Sequence, residues 1–400
     1  MTRTVFRGGR LFDGTGAAPA AADVAVAKGR IVAVGSGLDG DEDLDLEGRT
    51  ILPGLFDCHV HVTISDVDLW RAVQRPFSRQ FYEAGRNLAD TLRTGITSIR
   101  DAGGADLGIK EAVDEGLLLG PRMQISLVML SQTGGHGDDW YPSGATVPFM
   151  IDHPGRPSGL VDGPDEIRQK VRELVRMGAD VIKVATSGGV LSPRDDPRHA
   201  HFRPIELETI VEEATAAGIF VMAHAQGADG IKNAVRAGIR SIDHGIYLDD
   251  EAIELMKARG TWFVPTLVAP QGVIDAADAG VPLPPVVVDK ARAVIEIHRA
   301  AFRRAVEAGV RIAMGTDSGV TPHGRNLREL TLMVDGGMSP AAALEATTRS
   351  AAQLLGVDGD LGTIEEGKLA DLIVVTGDPY DVRTLPERIE SVWKAGTRVA

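Results

Sequence analysis

Along the middle of the chain, short apolar runs alternate with longer amphipathic stretches, and a glycine stands at most of the junctions. Eight apolar runs stand out, at residues 51–58, 96–100, 123–129, 180–185, 219–223, 239–243, 262–265 and 311–314. They are almost continuously hydrophobic, as strands covered on both faces are. Between them, apolar positions recur at helical spacing over residues 83–94, 166–177, 205–217, 231–237, 252–259 and 287–308. Gly95, Gly178, Gly218, Gly238, Gly260 and Gly309 each follow a helical stretch, where a left-handed residue closes a helix. Residues 326–355 predict a closing pair of helices. Strand followed by helix, repeated in this way, predicts an α/β fold: a (β/α)8 TIM barrel over residues 51–360.

The two ends read differently. Short runs at 4–6, 23–28, 31–34 and 44–46, and again at 372–375 and 389–394, lie between Gly, Asp and Pro breaks and predict strands. Residues 1–50 and 361–400 are therefore expected to form one small β-sandwich domain built from both termini. Three barrel connections are long, at 130–163, 186–203 and 267–285. Loops of that length act as lids or binding elements, on the face where barrel active sites are built.

Charge and cysteine content narrow the function. The chain has 42 Lys+Arg against 56 Asp+Glu, a net charge of −14. That balance disfavours non-specific nucleic-acid binding, which needs cations against phosphate, and docking to anionic membranes. No apolar run reaches the length of a membrane span, and the first residues lack the apolar core of a secretion signal. A cytoplasmic location is expected. The single cysteine, Cys58, excludes an intrachain disulfide and a paired-cysteine metal site.

Polar residues interrupt or end the apolar strands at a few places. His59 and His61 end the first, and alternation puts them on one face, where two imidazoles can share a metal ion. His224 and His244 close the fifth and sixth, and Asp317 follows the eighth. Lys183 lies inside the fourth. An unpaired ammonium is costly to bury there. Two placements are open: Lys183 reaches outward to water along the helix layer, or its amine takes up CO2 and becomes an anionic carbamate that bridges two cations. With the latter, the set supplies ligands for two divalent ions; the donors suit zinc, with manganese, cobalt and iron as alternatives. Such ions acidify a shared water, which suits hydrolysis of a polarised carbonyl.

At these segments the chain resembles the amidohydrolase superfamily. The matching stretches are Leu52-Pro53-Gly54-Leu55-Phe56-Asp57-Cys58-His59-Val60-His61, Val181-Ile182-Lys183, His224, Asp243-His244-Gly245, Gly315-Thr316-Asp317 and the tail from Gly362 to Leu372. The resemblance spans nearly the whole chain. It is nearest to the binuclear subgroup of Xaa-Pro dipeptidase-like and carboxypeptidase-like enzymes and ochratoxin-type amidases, and more distantly to imidazolonepropionases. It implies that His59, His61 and Asp317 hold one metal, that His224 and His244 hold the other, and that carboxylated Lys183 bridges them. It also implies that Asp317 moves the proton between a metal-bridging hydroxide and the leaving amine. By the same resemblance, His136 in Gly134-Gly135-His136-Gly137 approaches the substrate carbonyl or carboxylate, and Tyr247 contacts the substrate carboxylate.

The residues after His224 are Ala225-Gln226-Gly227, without the Glu that mononuclear deaminases of the superfamily use, so base deamination is disfavoured. The expected activity is cleavage of the amide bond of a dipeptide or N-acyl amino acid. Opening of a cyclic amide or lactone, or a catalytically silent scaffold, are the alternatives. Trp140 and Tyr141 are expected at the pocket wall or in the loop's own core. His153, His199, His201, His298 and His323 are expected at the surface or in loops, with His199, His201, Arg194 and Arg198 as an anion-recognising cluster. Self-association into a homo-oligomer is expected by resemblance.

Overall fold

A computed structural model describes residues 2–148 and 150–400. The N-terminal segment forms β1 (Thr4–Arg7), β2 (Arg10–Leu11), β3 (Ala20–Ala21), β4 (Asp23–Ala27), β5 (Arg30–Gly35), β6 (Glu42–Asp45) and β7 (Arg49–Pro53). The middle continues with β8 (Leu55–Val60), α1 (Leu69–Gln74), α2 (Arg79–Arg93), β9 (Ile96–Asp101), α3 (Leu107–Asp114), β10 (Arg122–Ile125), β11 (Met129–Leu130), α4 (Gly163–Arg176), β12 (Val181–Ala185) and α5 (Pro204–Ala216). There follow β13 (Phe220–Ala225), α6 (Ala228–Ala237), β14 (Ser241–His244), α7 (Asp250–Arg259), β15 (Trp262–Val264), α8 (Val268–Asp278), α9 (Pro285–Ala308), α10 (Arg328–Asp335), α11 (Pro340–Ala346) and α12 (Arg349–Leu355). The tail adds β16 (Leu372–Thr376), β17 (Ile389–Lys394) and β18 (Thr397–Arg398).

Strands β8 to β15 pair in parallel around a barrel. The helices cover it in the expected way: α2 buries Ala84, Leu88 and Leu92, one face at a spacing of four. Each buried leucine contributes about 1.5–3 kcal/mol. All six glycines expected to end helices have positive φ, between 66° at Gly260 and 94° at Gly238. N-terminal strands form the sheet β5-β4-β1-β6, and both chain ends meet in a second, β18-β17-β16-β7-β2-β3. Phe6, Val24, Ile31, Ile51, Leu372 and Val374 share one core there, and the Phe6 ring meets Trp393 edge-on at 5.0 Å.

Five expectations about elements are corrected. The apolar run 51–58 is two strands in different sheets. Gly54 N donates to Asp371 O in the tail, whereas Leu55 N donates to Gly95 O in the barrel. A Cβ on Gly54 would lie 2.1 Å from Thr97 Oγ1, so the crossing needs glycine. The run 123–129 breaks between β10 and β11 because Leu127 is left-handed, with φ 66°. Residues 311–314 form no strand of their own. They close the barrel through Phe263 N to Arg311 O at 2.8 Å on one side and Cys58 N to Met314 O at 2.9 Å on the other. The connection 267–285 contains a helix, α8, and residues 326–355 form three helices rather than two. The start of α8 is fixed by Glu329, whose buried carboxylate accepts from Leu267 N at 2.7 Å and Val268 N at 2.8 Å, satisfying donors a helix N-terminus leaves open.

Candidate active site

The polar residues that interrupt the barrel strands converge at the C-terminal end of the barrel. His59, Lys183, His224, His244 and Asp317 are all buried. Along β8, His59 and His61 are two residues apart, and their rings lie 5.4 Å apart. His59 and His244 are 4.8 Å apart between ring centres, and His244 and His224 4.6 Å. Asp317 Oδ1 lies 3.5 Å from His59 Nε2 and 3.3 Å from His61 Nε2. Ligand atoms of His59, His244 and Asp317 all fall within 4.8 Å of one another, so these three residues can hold a metal ion.

The outer hydrogen bonds decide which ring nitrogen each histidine presents. His59 Nδ1 is bonded to Asp243 Oδ2 at 2.7 Å, His61 Nδ1 to Gly103 O at 2.7 Å and His244 Nδ1 to Thr266 Oγ1 at 2.7 Å. All three leave Nε2 for a ligand. His224 is reversed: its Nε2 faces Gly188 O at 3.2 Å, which leaves Nδ1. Partners of this kind orient metal-binding imidazoles. The backbone bends sharply where these groups are presented. His244, Thr266 and Asp317 have φ of 73°, 51° and 59°, a conformation that costs about 1–3 kcal/mol per non-glycine residue and concentrates at functional sites.

Electrostatics suit cation binding. Burial, with the nearby Lys183 charge, holds His59 well below its ordinary pKa. Burial likewise depresses His224 and takes His244 down to about 3, so these rings are neutral and have lone pairs to give. Burial opposes the charge on Asp317, but His59, His61 and His244 outweigh it and hold the carboxylate well below the usual range. The Lys183 Nζ is buried and has no hydrogen-bond partner. Its nearest carboxylate is Asp243 Oδ2, at 3.6 Å. Burial, partly offset by Asp243 and Asp317, takes its pKa down to about 8. Lys183 therefore points inward, and the outward placement along the helix layer is not the one adopted. Neutral imidazoles beside one carboxylate fit a site for cations, provided the buried Lys183 amine, which makes no hydrogen bond, gives up its charge.

Above these residues opens a cavity of about 830 Å³. Its walls are largely apolar and include Trp140 and Tyr141 from the long connection at 130–163. His136 also lines it, stacked on His224 with ring centres 4.2 Å apart. Tyr247 is half-buried and packs on the apolar cluster of Val190, Ile246 and Val273; it is not among the cavity's lining residues. The expected anion cluster does not assemble. Arg194 lies over the Tyr141 ring at 4.6 Å, Arg198 pairs with Asp196, and His201 is buried. His298 departs from its expected loop or surface position: it is buried in α9 and lines the cavity.

Several supporting residues escaped the sequence reading. Asp243 is a hub, accepting from His59, from Ser241 Oγ at 2.9 Å and from Arg100 Nη2 at 3.3 Å. Arg100 interrupts an apolar strand just as Lys183 does, and that signal could have singled it out. Thr266 and Asp195 lay in segments with no readable pattern.

Among the described residues no helix is long and apolar enough to cross a membrane. The chain is 37% identical over 365 residues to ochratoxinase from Aspergillus niger, covering 86% of this chain and 75% of that protein. Among solved structures it resembles a Xaa-Pro dipeptidase with methionine bound in its active site, with 34% identity, a TM-score of 0.88 and 99% of both chains covered. It also resembles a prolidase complexed with N-methylphosphonate-L-proline, with 34% identity, a TM-score of 0.90 and 99% of both chains covered. Residues 50–399 match the Amidohydrolase family. With this barrel, this site and these relatives, the chain belongs to the amidohydrolase family and is a hydrolase acting on carbon–nitrogen bonds.

Proposed function

We propose that the protein is a binuclear metal-dependent amidohydrolase that cleaves the amide bond of a dipeptide or N-acyl amino acid. The observation that carries this reading is the convergence of four imidazoles, three of them buried, and Asp317 around a buried Lys183 amine that makes no hydrogen bond. His59 and His61, through Nε2, and Asp317 would hold one ion; His224, through Nδ1, and His244, through Nε2, would hold the other. Lys183 would serve both once its ammonium gives up a proton and the amine forms an N–C bond to CO2 with loss of a second, which replaces a repelling cation by an anionic carbamate. Divalent ions held there, zinc by the donor set, supply a Lewis acid for the carbonyl and an acidified water.

The chain's own groups do the rest. Asp317 accepts the proton given up by the attacking water and delivers it to the departing nitrogen, a general base and acid in turn. When protonated on both nitrogens, His136 donates from Nε2–H to a substrate oxygen while its Nδ1–H is held by Asp195 at 2.8 Å. The apolar walls exclude water from the reacting amide and suit apolar residues on either side of it. Relatives bound to methionine and to a proline analogue support that substrate class.

The test is a panel of Xaa-Pro dipeptides, N-acetyl amino acids, and hydantoin and imidazolone rings, assayed with zinc and bicarbonate. Hydrolysis of linear amides, abolished in Asp317→Asn, is expected. Turnover of the rings alone, or of no member of the panel, would count against the reading.

A further inference from the structure

His136 belongs to a long connection, yet it is held by a small buried ion cluster contributed by two other parts of the chain. Its Nδ1 lies 2.8 Å from Asp195 Oδ2, and the same oxygen accepts from Gly189 N at 3.0 Å. The Asp195 side chain is 4% exposed. On its far side stands Lys290 of α9, with Nζ 3.5 Å from Asp195 Oδ1. Lys290 Nζ also donates to Ser192 O at 2.8 Å, to Gly189 O at 3.2 Å and to Asp195 O. One ammonium thus gathers three carbonyls of the loop that carries Asp195. Gly189 completes the arrangement, because a Cβ there would lie 2.2 Å from His136 Cε1.

We propose that Asp195 and Lys290 are positioning residues for the reaction: Lys290 anchors and neutralises Asp195, and Asp195 holds the Nδ1–H of His136 and so fixes the ring's orientation over the reacting centre. A carboxylate on Nδ1–H leaves Nε2–H as the donor for a substrate oxygen, the logic by which an aspartate orients a catalytic imidazole and stabilises its protonated form. The face-to-face stack on His224 sets the His136 ring directly against one of the proposed metal ligands. The arrangement explains how a residue in a glycine-rich connection acts as a fixed group. Burial works against the Asp195 charge, but the His136 hydrogen bond and the charges of His136 and Lys290 outweigh it, so Asp195 stays an acceptor.

The inference rests on the amidase reading, and its test separates the two. Kinetics on the best member of the panel are measured for Asp195→Asn and Lys290→Gln, each in the wild-type and His136→Ala backgrounds. In the wild-type background, Asp195→Asn should lower kcat by about tenfold or more with KM within about threefold. Lys290→Gln should lower it less. In the His136→Ala background both should change kcat by less than about twofold, because residues acting through one group are not additive. Equal losses in the two backgrounds, or none in either, would overturn the inference. Ring-15N spectra provide a readout without turnover. The wild type should show His136 protonated at Nδ1, and Asp195→Asn should lose that signature. If the wild type hydrolyses nothing in the panel, the amidase reading fails while the spectra still decide the positioning claim. A wild-type signature unchanged in both variants refutes it.

Discussion

Replacing Asp243 with Asn probes the framework under the site without replacing any proposed metal ligand. The carboxylate is fully buried and accepts from His59 Nδ1 at 2.7 Å, Ser241 Oγ at 2.9 Å and Arg100 Nη2 at 3.3 Å. Asparagine keeps the shape but removes the charge, leaving the Arg100 guanidinium, 3% exposed, without its anion. Breaking one side of a buried ion pair costs about 3–5 kcal/mol. At the usual unfolding entropy per residue, a chain of this size should lose roughly 4–6 °C in Tm. His59 also loses the partner that fixes its tautomer, which should weaken metal binding by about 10–100-fold. Differential scanning calorimetry of metal-free protein and zinc titration against a competing chelator measure the two effects separately. Adding Arg100→Met should recover part of the stability, because it removes the stranded cation. A Tm unchanged within about 1 °C, together with unchanged zinc affinity, would refute the argument that Asp243 binds Arg100 and His59 into one unit.

Three further outcomes are expected. Gly54→Ala should destabilise the fold by about 1–3 kcal/mol in chemical denaturation, since its Cβ meets buried Thr97 at 2.1 Å. Gly189→Ala should lower kcat while leaving Tm nearly unchanged, because its Cβ displaces the His136 ring and no barrel strand. The third concerns pH. Burial pushes the Glu329 carboxyl up to about 8 from an ordinary 4.5. The folded state then holds that proton more tightly than the unfolded chain, so its contribution is full below the ordinary value and is lost as pH rises toward 8. Tm of metal-free protein should therefore fall between those limits, and Glu329→Gln should flatten the slope.

The parts of the fold that were legible in the sequence are those set by local chemistry. Strand-length apolar runs, amphipathic stretches and the glycines ending helices each depend on a few neighbouring residues. The histidines and Asp317 were visible because a polar group at the end of an apolar strand is expensive unless something uses it. The split of residues 51–58 was hidden because an apolar run does not reveal which sheet its amides will pair with. That is decided by Gly95 and Asp371, both far downstream in the chain. His298 was misread because periodicity does not say which face of a long helix meets the cavity. Asp195 and Lys290 carry no local signal at all: they are 95 residues apart and meet only once α9 packs against the loop. Arg100 was legible by the same argument as Lys183 and was passed over.

The most direct test of the account is the metal content of the chain after reconstitution with zinc and bicarbonate, measured by inductively coupled plasma mass spectrometry on wild type and Lys183→Ala. About two equivalents per wild-type chain, falling to one or fewer when the bridging amine is gone, is the predicted result. No stoichiometric zinc, or full binding without Lys183, would contradict it.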